Sequence, residues 1–316
     1  MKLSAGCYEL MYVAGDVDAW MKKVKAAGGT GVRFFAEAAW HVNKKDVMGP
    51  YVYEDGKFDL SKKEKRYWSR LRVLLRLFKK HGLIPHIVLF DHCSWKLKGF
   101  GKNFVPWINN KQGTGGPLAP RSLAYEKGYV KKMVDTVALI GTAADFEVCN
   151  EFYWQGYDDD EGLKWHKEIV DTLIALGVLK SNIITSIKWD LPIATHIAFG
   201  KQVGVYAFHG AGARPGEIAW KAVEIMKKYA KVELSSDGVY EGQGWPDIKG
   251  KRGNDEAEMK SIAKKMKAHG IDRYDFKDRG ISGPGTESTL TDCGVVSDVD
   301  LAHLEPLEAM AKELKR

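Results

Sequence analysis

Two short runs of this sequence are spaced to present carboxylates on one face. In Glu147-Val148-Cys149-Asn150-Glu151, strand alternation puts Glu147, Cys149 and Glu151 on the same side. In Glu233-Leu234-Ser235-Ser236-Asp237 it does the same for Glu233, Ser235 and Asp237. Val148 and Leu234 then face apolar cover. Each run holds one carboxylate deep and one at its end, and the two end carboxylates would face each other across an opening. Such a pair can hydrolyse a glycosidic bond. One carboxylic acid protonates the leaving oxygen, and the other, ionised, stabilises or captures the oxocarbenium-like carbon. The simpler reading pairs these acids with Arg33 or with lysines in a polar layer. Several acids on one predicted face, with aromatics around them, favour chemistry.

Other polar residues fall just after apolar runs. Arg33 and Glu37 belong to the Gly31–Ala36 run, with Trp40 beyond it. Asp91-His92-Cys93-Ser94-Trp95 follows Leu83–Phe90, and His209 follows Val203–Phe208. Trp40, Trp95, Trp107, Trp154, Trp189 and Trp245 all come after apolar runs, where indole faces could stack on the C–H faces of sugars. Trp20, Trp68, Trp165 and Trp220 lie in helical patterns and are expected in the core. Glu241, beyond Gly238, is a reserve candidate for the second carboxylate. Asp91, His92, His209 and Asp237 could in principle converge on a metal. With no HxH pair on the first strand, no HExxH helix and no CxxC pair, neither a metal nor another cofactor is expected.

These residues need a scaffold that gathers strand ends. Short apolar runs alternate with longer helical patterns, as βαβ units do. Strands are predicted at Leu3–Leu10, Gly31–Ala36, Leu83–Phe90, Ala144–Cys149, Ile183–Ile187, Val203–Phe208, Val232–Ser236 and Arg273–Phe276. Between them, helices run from Asp16, a predicted N-cap, to Ala27, and from a capping box at Ser61-Lys62-Lys63-Glu64 to Gly82. Further helices cover Leu123–Leu139, Asp160–Leu176, Asp190–Gly200, Pro215–Ala230, Asn254–His269 and Leu301–Leu314. Eight such units without repeats or linkers predict an α/β fold, a single (β/α)8 TIM barrel spanning residues 1–316. A doubly wound sheet would open on a glycine-rich phosphate turn. Val13-Ala14-Gly15-Asp16 lacks that pattern. In a barrel the site lies at the C-terminal strand ends, where the residues above fall.

Composition narrows the partners. With 48 Lys and Arg against 41 Asp and Glu the net charge is +7. The lysines are scattered over helix faces, as in Lys62, Lys63 and Lys65, with no basic block interleaved with aromatics, so nucleic acid is not an expected partner. No apolar run approaches bilayer length, so no membrane partner is expected either. Cys7, Cys93, Cys149 and Cys293 fit no disulfide framework and read as reduced thiols. The sequence enters its first strand without a signal-peptide pattern. This predicts cytoplasmic synthesis, with lysis or a removed leader as routes outward. A monomer is expected.

At this point the chain resembles the clan A glycoside hydrolases, and among them the family-five cellulases and mannanases. The likeness is carried by Gly31-Val32-Arg33, Asp55-Gly56-Lys57-Phe58-Asp59, Phe146-Glu147-Val148-Cys149-Asn150-Glu151 and Val205-Tyr206-Ala207-Phe208-His209. It runs from the first predicted strand to the seventh. The resemblance implies an endo-acting, retaining hydrolase of a β-linked polysaccharide. It makes Glu151 the acid/base, sets Asn150 on a sugar hydroxyl and puts Arg33 near the nucleophile. His92 and His209 would line the subsite of the reacting sugar, and Trp40, Trp95, Trp154, Trp189 and Trp245 would grip the chain. Two departures stand out. The clan ends its seventh strand in Glu, where this sequence has Asp237, and the clan's Trp at the end of strand eight is missing, with Tyr274 and Phe276 the nearest aromatics. The shorter Asp leaves an inverting hydrolase open, and a carbohydrate-binding pseudoenzyme would keep the tryptophans without the chemistry.

Overall fold

The computed structural model describes residues 1–6, 10–11, 16–37, 47–96, 104–152, 159–187, 191–209, 217–235, 256–277 and 305–315. Its strands are β1 (Lys2–Gly6), β2 (Gly31–Phe35), β3 (Tyr51–Glu54), β4 (Lys57–Lys63), β5 (Ile84–Asp91), β6 (Asp145–Asn150), β7 (Ile183–Ser186), β8 (Val205–His209), β9 (Lys231–Ser235) and β10 (Arg273–Lys277). Eight of them close into a barrel in the order β1-β10-β9-β8-β7-β6-β5-β2, every neighbouring pair parallel. Helices α1 (Val17–Ala26), α2 (Lys65–His81), α3 (His92–Lys96), α4 (Pro120–Ile140), α5 (Asp159–Ala175), α6 (Ile193–Gly200), α7 (Glu217–Met226), α8 (Glu256–Ala268) and α9 (Glu305–Lys315) connect and follow the strands. The fold is a (β/α)8 barrel. Leu10, expected to close the first strand, lies in a turn.

Helix ends follow local chemistry. The Asp16 side chain accepts a hydrogen bond from the Ala19 N–H at 2.9 Å and starts α1. Helix α2 buries Tyr67, Trp68, Leu71, Leu74, Leu75 and Phe78 along one stripe, and stops at Gly82 in the left-handed conformation. Each such apolar side chain, fully buried, contributes roughly 1.5–3 kcal/mol. The expected capping box is not formed. Ser61 lies within β4, and its hydroxyl donates to Asp59 Oδ1 at 2.6 Å. Glu64 itself caps the helix, accepting from the Arg66 N–H at 3.0 Å. The cause is an antiparallel hairpin, β3 with β4, inserted before α2. Its turn is Asp55-Gly56, with φ of 54° and 75°, the pair of positive values that a two-residue hairpin turn demands.

The barrel interior is strongly ionic. At its N-terminal end Lys2 Nζ lies 3.0 Å from Asp145, whose other contact is Arg273 Nη2 at 2.8 Å. Arg273 Nε reaches Glu233 at 3.0 Å. His86 bridges the next layer, with Nε2 at 2.9 Å from Glu147 and Nδ1 at 3.7 Å from Glu233. Glu147 and Glu233 therefore both lie deep, as their strand positions predicted. Strand β10 contributes Arg273 and Asp275 to this interior and only Tyr274 between them to the apolar side. Removing one member of such a network leaves a buried charge unpaired, which costs about 3–5 kcal/mol.

Candidate active site

Arg33 is the hub. It is 1% exposed; its Nε donates to Glu147 Oε2 at 2.7 Å, and its Nη2 donates to Glu147 Oε1 at 3.0 Å and to Asn150 Oδ1 at 2.9 Å. Its Nη1 lies 3.8 Å from Asp275. Burial alone would raise the Glu147 carboxyl, but Arg33 and His86 outweigh it and hold that group well below the usual carboxylate range. Glu147 and Asn150 are three residues apart, yet both reach one guanidinium nitrogen. Simple alternation did not anticipate that Asn150, of the opposite parity, would share the arginine with Glu147.

The Asn150 amide is used at both ends. While Oδ1 accepts from Arg33, Nδ2 donates to Asp91 Oδ1 at 3.1 Å, across the register pair Asp91–Asn150. Asp91 Oδ2 accepts from the Ser94 N–H at 3.1 Å and from its hydroxyl. Burial pushes the Asp91 carboxyl up to about 6, against the lowering effect of these donors, and the nearby Glu151 charge adds to the rise. Two further buried acids stand close by. Burial holds Glu37 well above the usual carboxylate range, reinforced by Asp91 and Glu126, and burial does the same to Glu126, whose Oε2 accepts from Trp165 Nε1 at 2.7 Å.

Glu151 follows at the mouth end of β6, 3% exposed and with φ of 43°. A left-handed conformation is costly for a residue with a Cβ, by about 1–3 kcal/mol. Its backbone N–H donates to Ser186 Oγ at 3.0 Å, and the next N–H, of Phe152, donates to the Ser186 carbonyl at 3.1 Å. The same Ser186 hydroxyl donates to Glu147 Oε1 at 2.7 Å. Ser186, the last residue of β7, was not anticipated from sequence; nor were His86 and Asp275.

The structure brings together Arg33, His92, Asn150 and Glu151 around the C-terminal ends of β2, β5 and β6. His92 is buried, edge-on to Phe152 at 5.6 Å. Trp95 departs from expectation. It is 3% exposed and packs edge-on against Trp165 at 5.5 Å and Phe90 at 6.2 Å, so it belongs to the core rather than to an open rim. Trp107 likewise is fully buried, between Tyr51, Phe90 and Tyr129. Trp20, Trp68 and Trp165 are core residues as expected. His209 ends β8, paired in register with Ser235. Trp40, Trp154, Trp189, Asp237, Glu241 and Trp245 lie outside the described residues. Among the described residues no group of three His, Cys, Asp or Glu is placed to hold a metal ion, and no helix is long and apolar enough to cross a membrane.

No protein-family model matches the sequence, and no curated protein does either. Solved structures do match. The chain superimposes over its full length on the exo-β-1,4-mannosidase Op5Man5 from Opitutaceae bacterium strain TAV5, with a TM-score of 0.65 and 12% identity, and spans 59% of that protein. It covers 95% of an endo-1,4-β-mannanase from Rhizomucor miehei, with all of this chain aligned, a TM-score of 0.59 and 13% identity. A family-five glycoside hydrolase of subfamily 18 from Streptomyces cattleya, solved in complex with GlcNAc, gives a TM-score of 0.67 at 15% identity over all of this chain and 80% of that one. At such identities the likeness establishes the fold: the chain is built on the (β/α)8 barrel that these glycoside hydrolases share.

Proposed function

We propose that the protein is a glycoside hydrolase of a β-linked polysaccharide, endo-acting and retaining, with residues 1–316 as one catalytic barrel. The observation that carries this reading is the Arg33–Asn150 hydrogen bond at 2.9 Å immediately before Glu151, at the end of the fourth barrel strand. In it Glu151 is the acid/base. It gives its proton to the glycosidic oxygen as the C–O bond breaks, and the bonding electron pair leaves with that oxygen. The second carboxylate bonds to the anomeric carbon as that bond breaks, and Glu151 then takes a proton from the water that attacks this carbon and displaces the carboxylate. Asn150, its amide oxygen held by Arg33, offers an N–H to a sugar hydroxyl beside the reacting carbon. Asp237 is the second carboxylate and nucleophile, with Glu241 in reserve. His92 and His209 border the reacting sugar, and Trp40, Trp154, Trp189 and Trp245 contact more distant sugars.

Structural neighbours that are named mannosidases, mannanases and endoglucanases support β-1,4-linked mannan and glucan as the first substrates to try. The test is reducing-sugar release from a panel of β-linked polysaccharides, by the wild-type protein and by Glu151→Gln. The amide keeps the shape but has no proton to give, so turnover of natural polysaccharide should fall by roughly 10²–10⁴-fold with the fold intact. A Glu151→Gln protein that cleaves as fast as wild type sinks the assignment. Sugar binding by wild type with no release of reducing ends replaces it with a binding role.

A further inference from the structure

We infer that Ser186 is a positioning residue for Glu151, coupling the buried Arg33–Glu147 pair to the backbone of the acid/base. The inference rests on the proposed role of Glu151. Ser186 ends the fifth barrel strand and lies beside, not within, the group of residues expected to touch substrate. Its hydroxyl has one proton and two neighbouring acceptors, Glu147 Oε1 at 2.7 Å and the Cys149 carbonyl at 3.3 Å. The shorter bond, to a carboxylate that Arg33 keeps ionised, takes the proton. With the proton committed there, the oxygen presents a lone pair to the Glu151 N–H at 3.0 Å. The direction of the whole chain is thus set by charge: Arg33 fixes Glu147, Glu147 orients the Ser186 hydroxyl, and the hydroxyl accepts from residue 151.

That acceptor matters because Glu151 has φ of 43°. In an ordinary extended strand end, the chain would carry the Glu151 side chain elsewhere and its N–H would find a ladder partner. Here the left-handed turn aims the side chain, and the buried N–H needs an acceptor outside the ladder. Ser186 supplies it, and its own carbonyl takes the Phe152 N–H at 3.1 Å on the far side of the turn. Without the hydroxyl, the loss of the acceptor at 3.0 Å and the cost of a left-handed residue with a Cβ both favour relaxing the turn. A shift of about an ångström in an acid is enough to cost on the order of 10²-fold.

The experiment compares leaving groups. Phenyl, 4-nitrophenyl and 2,4-dinitrophenyl β-cellobiosides and β-mannobiosides need protonation in descending order. For Ser186→Ala we expect kcat/KM, which reports cleavage of the glycosidic bond, to fall by roughly 10–100-fold on the phenyl glycosides and by less than about threefold on the dinitrophenyl glycosides. Ser186→Cys keeps the volume with a weak hydrogen bond, and should show the same pattern, milder. It also guards against an alanine variant that does not fold. If the folded variants slow every leaving group equally, or not at all, Ser186 is structural and the inference is overturned. Glu151→Gln in the same series separates the two ideas. If it shows no leaving-group dependence, the acid/base assignment itself fails, whereas dependence there with none in the Ser186 variants overturns the Ser186 role alone.

Discussion

Arg33 Nη2 bonds Asn150 Oδ1 and Glu147 Oε1 at once, at 2.9 and 3.0 Å, so one guanidinium edge joins a deep ion pair to the amide beside Glu151. The planar fork of arginine makes this possible; an ammonium is a point charge and cannot hold the same three oxygens in that plane.

Arg33→Lys and Arg33→Met should therefore fail differently. Methionine takes the guanidinium from the buried Glu147, leaving it only His86 and the Ser186 hydroxyl, and should cost about 3–5 kcal/mol in urea unfolding. Lysine keeps the charge and more of the stability, yet releases Asn150, and kcat should fall by at least about tenfold. Full turnover in Arg33→Lys would show that the amide needs no anchor.

Asp237 is expected to act as nucleophile despite its short side chain. Asp237→Ala should be inactive, and added azide should restore turnover, giving a glycosyl azide of inverted configuration. An active Asp237→Ala alongside a dead Glu241→Ala moves the role to Glu241. Reducing ends released with inverted configuration by the wild-type protein would instead mark an inverting mechanism.

The Asp91 carboxyl titrates in the folded protein near 6, above its ordinary 3.8. Its contribution to stability is full below the lower value and is lost as pH rises through the upper one. Asp91→Asn removes that dependence. The advantage of wild type over the variant should be larger at pH 4 than at pH 7, by about 2 kcal/mol. Unfolding curves at the two pH values decide it; an equal difference at both means that the carboxyl is not held protonated by its surroundings. The variant should also lose turnover, because an amide at 91 cannot accept from Ser94 and from Asn150 on both sides without turning one donor toward another.

Trp95→Ala should behave as a core truncation. A loss of about 3–5 kcal/mol is expected, with no change in the preference between long and short oligosaccharides. A well-folded variant that loses affinity for long chains selectively would return Trp95 to the sugar groove.

Much of the barrel was legible because its helices carry apolar residues at helical spacing and its central strands are short apolar runs. Strand β10 was the harder one to read, since Arg273 and Asp275 face an ionic interior and break the apolar signal. The β3–β4 hairpin was legible in principle, from Asp55-Gly56 between Tyr51-Val52-Tyr53 and Phe58, but helical spacing from Ser61 onward imitated a helix start. Near the proposed site, the closeness of Arg33, Asn150 and Glu151 was legible because polar residues of these types fall within or at the ends of short apolar strands. Ser186 was not. A serine at the end of Ile183-Ile184-Thr185-Ser186 carries no pattern, and its importance comes from a backbone angle five strands' worth of sequence cannot encode locally. Trp95 misled for a related reason: its place after a strand says nothing about whether the next turn leads outward or back over the sheet.

The ionic interior also bears on how the barrel closes. Asp145 and Glu233 sit on β6 and β9, yet the arginine that serves both lies on β10, which follows them in sequence. A barrel that closed without β10 would bury those carboxylates with only Lys2 and His86 beside them, short of the guanidinium that joins the two. The ring is thus complete in charge only when β10 stands between β9 and β1, so that sealing the barrel and satisfying its interior are one event.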